Sequence, residues 1–293
     1  MSVLLIYNNS AGSGDVSRDD LLKCLRAGGY DPEAVSSDDE RLPGLLGQPR
    51  DLLVVAGGDG TVARVLTGLA ERSTPIAILP TGGSNNIARA MGVEGELAEL
   101  AAGLGSASLA ELHIGVAEGV WGRARFVEAA GFGALTAALL SAQGSADETQ
   151  AKLRIGRAAL AEAVAAAEPV PYRLELDGRA VQEELLMLEV LNIASIGPRL
   201  PLAPGAKAGD GKFQVARLAP ADRDRFLSWL ECMDDDPPVI VTQAREIRLL
   251  AGPEEVRLDD PKRVRPREGQ PVYLHKEQNP VRILVPQTPG GRS

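Results

Sequence analysis

An apolar run that stops at a glycine-rich turn constrains this chain more than any other feature: Val54-Val55-Ala56-Gly57-Gly58-Asp59-Gly60-Thr61. Leu52 to Val55 reads as a fully buried strand, and helical spacing resumes from Thr61 to Leu69. The order is strand, tight loop, helix. Three glycines permit positive φ and a close approach to a ligand, while the helix behind them offers unpaired N–H groups and a positive dipole end. Such a loop is a phosphate cradle. Asp59 sharpens the reading, because an acid aimed into an anion nest is unfavourable unless a cation such as Mg²⁺ lies between. Taken alone, the loop also fits a plain strand-to-helix connection with Asp59 as helix N-cap. Neither GxxxxGK[ST] nor GxGxxG is present.

Two more segments repeat the pattern. Val3 to Tyr7 leads into Asn8-Asn9-Ser10-Ala11-Gly12-Ser13-Gly14 and a helix from about Asp15 to Ala27. A short strand near Pro32 to Val35 and a helix near Glu40 to Leu46 follow. Pro75 to Pro80 then leads into Thr81-Gly82-Gly83-Ser84-Asn85-Asn86 and a helix through Ile87, Ala88 and Met91. In a parallel sheet, right-handed crossovers bring all three loops to the carboxyl edge of the strands, where ligands bind.

Composition narrows the partners. With 293 residues the chain suits two domains, and aromatics at only 3% leave Ala, Leu and Val to fill the cores. Few aromatics and a net charge of −9 argue against nucleic acid, and against purely electrostatic attachment to an anionic membrane. Cys24 and Cys232 sit in apolar helical patterns and read as free buried thiols. No basic leader precedes the first strand and no apolar run reaches the ~18 residues of a membrane span, so a cytoplasmic location is expected.

Beyond residue 112 the texture changes. Strands predominate: Arg123 to Ala129, a hairpin of Tyr172 to Leu176 and Glu184 to Leu191 turning at Asp177-Gly178, then Val239 to Thr242, Glu246 to Leu250, Val256 to Leu258 and Val272 to His275. An alanine-rich helix is expected between Gly144 and Glu168, and a short one at Asp222 to Leu230. Strands without intervening helices imply an antiparallel second domain, a β-sandwich.

Several of these blocks resemble one family. Gly57 to Thr61 is similar to the Gly-Gly-Asp-Gly-Thr loop of the diacylglycerol kinase, sphingosine kinase and NAD kinase superfamily. Pro80 to Arg89 resembles the Pro-x-Gly-Thr-x-Asn-Asp/Asn-x-Ala-Arg segment of its bacterial diacylglycerol-kinase-like lipid kinases, and Asn8 to Gly12 their Asn-Pro-x-x-Gly loop. Phe126 to Gly133 and Asn192 to Phe213 resemble two blocks of the second domain. NAD kinase shares the first loop but lacks the Asn192 to Phe213 block.

That resemblance implies an α/β N-terminal domain over residues 1–112, three-layered around a parallel sheet, and an antiparallel β-sandwich over 113–280 that binds the acceptor. Residues 281–293 are expected to return to the first domain. It implies an ATP-dependent, Mg²⁺-dependent kinase that phosphorylates diacylglycerol or a related lipid alcohol, at the inner membrane face. Asn8, Asn9, Ser10, Ala11, Gly12, Gly57, Gly58, Asp59, Gly60, Thr61, Gly82, Gly83, Ser84 and Asn85 would hold the nucleotide. Asp210 would hold a structural divalent ion with the carbonyls of Lys207 and Lys212. The oligomeric state stays open, a homodimer included.

Three positions depart from the family pattern. Gly83 stands where a threonine would touch ATP, and Asn86 where aspartate is frequent. The family's Asp-Gly-Glu, whose glutamate is the general base, is matched by Leu258-Asp259-Asp260-Pro261. Asp260 or Asp259 is the candidate to take the proton, together with Asp59 at the phosphates. A nucleotide-binding protein impaired in catalysis is therefore the alternative. Lys262-Arg263-Val264-Arg265-Pro266-Arg267 is either a solvated loop or a patch for a lipid headgroup.

Overall fold

The computed structural model describes residues 1–8, 16–141, 149–234, 236–251, 255–259, 262–267 and 269–287. The chain divides into two units, Met1–Leu112 with Asn279–Ser293, and His113–Gln278.

The first unit runs β1 (Val3–Tyr7), α1 (Arg18–Ala27), β2 (Glu33–Ser36), α2 (Leu42–Leu46), β3 (Leu52–Gly57), α3 (Asp59–Gly68), β4 (Ile76–Pro80), α4 (Asn86–Ala90), α5 (Leu97–Gly103) and β5 (Ser108–Leu112). Ser17 starts α1 with a capping box, its hydroxyl accepting from the Asp20 N–H while the Asp20 carboxylate accepts from the Ser17 N–H. Leu21, Leu22 and Leu25 then face the core. β1, β3 and β4 are apolar almost throughout and buried on both faces, as a covered parallel sheet requires.

The second unit carries β6 (Gly115–Gly119), β7 (Gly122–Phe126), β8 (Ala129–Gly133), α6 (Ala134–Ser141), α7 (Thr149–Ala166), β9 (Val170–Leu176), β10 (Arg179–Leu185), β11 (Met187–Leu191), β12 (Phe213–Leu218), α8 (Arg223–Cys232), β13 (Ile240–Ala244), β14 (Ile247–Ala251), β15 (Val256–Leu258), β16 (Lys262–Val264) and β17 (Val272–Lys276). β18 (Val281–Val285) belongs to the first unit.

Among the described residues the first sheet has the order β2-β1-β3-β4-β18-β5. Its first five strands are parallel, and β5 closes the edge antiparallel to β18. The chain moves outward from β1 to β2, then crosses to the other side of β1 to lay down β3 and β4. Right-handed crossovers put α1 on one face and α2 and α3 on the other. The strand order therefore reverses between β1 and β3, which is the switch point where open α/β sheets bind ligands.

The second unit is an antiparallel sandwich. One sheet has the order β10-β9-β14-β17-β6-β7 and the other β13-β12-β11-β8-β15-β16. Phe126, Phe132, Tyr172 and Phe213 fill the space between them, with Phe126 and Phe213 stacked at 5.7 Å. The outer face of the second sheet packs Met187, Leu191, Ala216 and Leu218 against helical residues such as Leu135, Leu160, Phe226 and Trp229. The β9–β10 hairpin turns at Asp177 and Gly178, with φ of 49° and 78°, the left-handed pair that a two-residue turn demands.

Two expectations need correction. Cys24 is half-buried and Cys232 exposed, so neither is a core thiol, because each lies at the margin of its helix's apolar face. Helix α6 carries no signal of its own in the sequence, because Ala134 to Leu139 has few polar residues and so shows no helical alternation.

Candidate functional site

β1, β3 and β4 are neighbours in one parallel sheet, so the loops that follow them rise from one edge. They are tied together. The Asn8 side-chain amide donates to the Thr61 hydroxyl at 3.1 Å, bridging the switch point, and the Thr81 N–H donates to the Gly57 carbonyl at 3.1 Å. Within the third loop Asn85 folds back on itself. Its Oδ1 accepts from the Gly82 N–H at 3.0 Å and its Nδ2 donates to the Gly82 carbonyl at 2.9 Å. Asn85 takes φ of 53°, a left-handed conformation that asparagine tolerates well.

The expected positive φ is not what these glycines supply. Gly57, Gly58 and Gly82 do not use positive φ. They let the loops touch. A Cβ on Gly82 would lie 2.4 Å from the Gly58 Cα, one on Gly58 would lie 3.1 Å from the Gly82 Cα, and one on Gly57 would meet the Thr61 side chain at 2.6 Å. Gly83 and Ser84 are half-buried beside this contact, and Gly60 is exposed. Asn9, Ser10, Ala11 and Gly12 lie outside the described residues.

Asp59 also departs from expectation. It is the first residue of α3, whose N-cap is Gly58, and it reaches across to the start of α4. Its Oδ1 accepts from the Ile87 N–H at 2.9 Å, and the N–H groups of Asn86 and Asn85 also hydrogen-bond to its carboxylate. The N-cap residue of α4, Asn85, makes no side-chain cap of its own. Asp59 supplies that cap from the neighbouring loop, and its charge faces oriented N–H groups. Burial raises its pKa, and the N–H groups oppose the rise.

In the second unit, Asp259 does not present a free carboxylate. Its Oδ2 accepts from the Val127 N–H at 2.7 Å, and its Oδ1 from the N–H groups of Glu128 at 2.7 Å and Ala129 at 3.2 Å. It is buried, with φ of 53°. This corrects the expectation that Asp259 takes a proton from an acceptor hydroxyl: its oxygens are spent on the chain entering β8. Asp260 lies outside the described residues.

Burial pushes the Asp259 carboxyl up to about 6, against the pull of the three N–H groups and of Arg257. A carboxyl raised above its unfolded value of 3.8 binds its proton more tightly when folded. Its contribution is complete below that value and lost as pH rises through about 6. Between pH 5 and 7, wild-type protein is expected to lose about 1 kcal/mol more unfolding free energy than Asp259→Asn, read from urea titrations at the two pH values.

The candidate metal turn is also described. Asp210 Oδ1 accepts from the Lys212 N–H at 2.9 Å, and the Lys207 carbonyl accepts from the Asp210 N–H at 3.2 Å. Neither lysine side chain is paired with Asp210; Lys212 Nζ donates to Gln243 at 3.3 Å. A third lysine is. Lys276 Nζ lies 4.0 Å from Asp210 Oδ1, with its side chain only 4% exposed. Burial pulls the Lys276 ammonium down to about 8, with Asp210 drawing it back up. A resident divalent ion does not fit a carboxylate already faced by a buried ammonium. Lys276 was missed in the sequence, although alternation along β17 places it in one row with Val272 and Leu274.

A second polar group is locked into the sandwich. Arg257 Nη2 donates to Glu189 Oε2 at 2.6 Å with side chains 2% and 0% exposed, and Arg257 Nη1 donates to the Asp259 carbonyl at 2.9 Å. Gly131 makes room: a Cβ there would lie 2.4 Å from both Arg257 Nη2 and Glu189 Oε1. The Asn192 amide bridges the carbonyls of His113 and Val127 at 2.8 and 2.7 Å.

Comparison with known proteins follows the same division. Residues 2–117 match the family model "Diacylglycerol kinase catalytic domain", and residues 129–264 match "YegS C-terminal NAD kinase beta sandwich-like domain". A diacylglycerol kinase of Bacillus subtilis is 29% identical over 184 residues, 60% of this chain and 58% of its own length. One of Staphylococcus aureus strain RF122 is 26% identical over 226 residues, 72% of this chain and 68% of its own. The crystal structure of a diacylglycerol kinase from Bacillus anthracis superposes with a TM-score of 0.73 over 97% of this chain and 96% of that one. At 21% identity, that likeness establishes the fold alone. With both family models accounted for in order along the sequence, this chain belongs to the diacylglycerol kinase catalytic-domain family.

Proposed function

We propose that the protein is an ATP-dependent phosphotransferase that moves the γ-phosphoryl group of ATP to the hydroxyl of a lipid alcohol such as diacylglycerol. The observation that carries this reading is the convergence of the carboxyl ends of β1, β3 and β4 at the switch point of a parallel sheet, with Asn8 bonded to Thr61 and Gly58 packed on Gly82. Phosphoryl transfer asks a protein mainly for positioning and for cancelling charge on the phosphates. Backbone N–H groups of the glycine loops supply donors, and Asp59 and Asn85 keep those loops rigid by bracing them internally. Mg²⁺, arriving with the triphosphate, supplies the remaining charge cancellation.

The acceptor would be met by the sandwich unit. No helix among the described residues is long and apolar enough to cross a membrane, which leaves a peripheral encounter with lipid as the reading we adopt. Arg265 and Arg267 are exposed near β16 and are suited to an anionic headgroup.

One observation favours a second reading, an ATP-binding protein impaired in transfer. The Asp259 carboxylate is engaged by three N–H groups, and the sequence has no glutamate in register after it. A loose transition state leans little on a general base, so slowed transfer is expected rather than none. Incubating full-length protein with γ-labelled ATP, Mg²⁺ and diacylglycerol in mixed micelles tests both. Labelled phosphatidic acid above a protein-free blank, reduced at least tenfold in Asp59→Ala, supports the first reading. ATP binding with no labelled product from diacylglycerol or other lipid alcohols supports the second.

A further inference from the structure

The turn from Lys207 to Phe213 contains a charge that the fold must answer. Asp210 precedes Gly211, whose φ of 70° makes the tight bend, and β12 starts at Phe213 in the sandwich core. Among the described residues one hydrogen bond, from the Lys212 N–H, reaches the Asp210 carboxylate at Oδ1. A single neutral donor is modest support for a half-buried carboxylate.

Opposite it stands Lys276, the last residue of β17. Strand alternation puts Val272, Leu274 and Lys276 on one face, and the first two are core residues. The ammonium is carried inward with them. It sits 5.1 Å above the centroid of the Phe213 ring, and among the described residues its Nζ has no hydrogen-bond acceptor within reach. An ammonium is not kept in such a place without an opposite charge. Asp210, 4.0 Å away, is that charge.

We propose that the Lys276 ammonium is the permanent counter-ion of Asp210, standing in place of the divalent ion that the family resemblance implies, so that the sandwich unit folds without metal. A divalent ion bound to that oxygen would sit about 2.0–2.6 Å from it, and so no more than about 6.6 Å from Nζ. Like charges that close, at a site partly withdrawn from water, repel each other, and the ion's double charge doubles the effect. The ammonium is built into the chain, so it holds the turn at any metal concentration. The aromatic face of Phe213 adds a favourable contact that a hydrated metal ion could not make as closely.

Thermal unfolding of the nucleotide-free full chain tests the assignment. Wild-type protein is expected to melt within about 1 °C of the same temperature in EDTA, in millimolar Mg²⁺ and in millimolar Ca²⁺. Lys276→Met keeps the stem and removes the charge; it is expected to melt several degrees lower in EDTA and to recover part of the loss on addition of Ca²⁺. Adding Asp210→Asn to that variant is expected to cost much less than Asp210→Asn costs wild type, because the two groups act as a pair. A wild-type melting point raised by several degrees with either metal, or additive losses in the double variant, would overturn the proposal. Should Lys276→Met not fold, the metal content of natively purified wild type decides. Stoichiometric Mg²⁺ or Ca²⁺ contradicts the assignment, and less than a tenth of a mole per mole supports it.

Discussion

Gly82→Ala is expected to lower kcat/KM for ATP about a hundredfold, or ATP affinity by the same factor if transfer is slow. The added Cβ would lie 2.4 Å from the Gly58 Cα and 2.8 Å from the Asn85 Oδ1. The first of these is backbone and has no rotamer in which to retreat, so the two loops must part. A parting of about 1 Å is enough to cost a factor of this size where positioning is the main catalytic device. Gly44→Ala is the control, because a Cβ there meets nothing within 4 Å and activity should be unchanged. Equal activity in both variants would mean that the Gly58–Gly82 contact does not set the nucleotide site.

The second large effect is on stability. Arg257→Met is expected to lower the unfolding free energy by about 3–5 kcal/mol, since it leaves the fully buried Glu189 carboxylate without its partner. Burial already pushes the Glu189 carboxyl upward, and Arg257 is the main group pulling it back. The double replacement Glu189→Leu with Arg257→Met removes both charges and should recover most of the loss. Recovery stays incomplete because the Asp259 carbonyl also loses its donor. Chemical denaturation of the three variants measures this, and an additive double variant would show that the pair is not coupled.

Much of the fold lies open in the sequence because its punctuation is local. Apolar runs broken by Asn8, by Gly57-Gly58 and by Thr81-Gly82 mark three strand ends, and neighbouring parallel strands leave those ends on one edge. Asp177-Gly178 likewise announces its hairpin. What sequence hides is the partner across space. Asp59 sits in a glycine loop but serves the first N–H groups of α4, twenty-eight residues on, and that cannot be read from the loop itself. The sequence places Asp259 beside a missing base, whereas its oxygens hold the backbone at Val127 to Ala129. Lys276 shows the same limit from the other side. Its inward register follows from alternation, yet Asp210 as its partner depends on how β17 and the turn before β12 meet within one sandwich.

Departures of this kind share a physical pattern. Asp59 and Asp259 both have their carboxylates bound by runs of successive backbone N–H groups, so each fixes a segment of chain. Asp210 has its charge met by a lysine. The acids that sequence reading assigns to chemistry are thus partly architectural. On the proposed function, catalysis would rest chiefly on the shape of the loops and on a cation brought with the nucleotide.

Hydrogen exchange on the full chain, with and without saturating ATP and Mg²⁺, tests that account most directly. Exchange is predicted to slow in segments covering residues 56–62 and 80–87 and to change little in the strands of the sandwich core. Saturating nucleotide that leaves both segments unprotected, or protects only residues remote from the carboxyl edge of β1, β3 and β4, would contradict it.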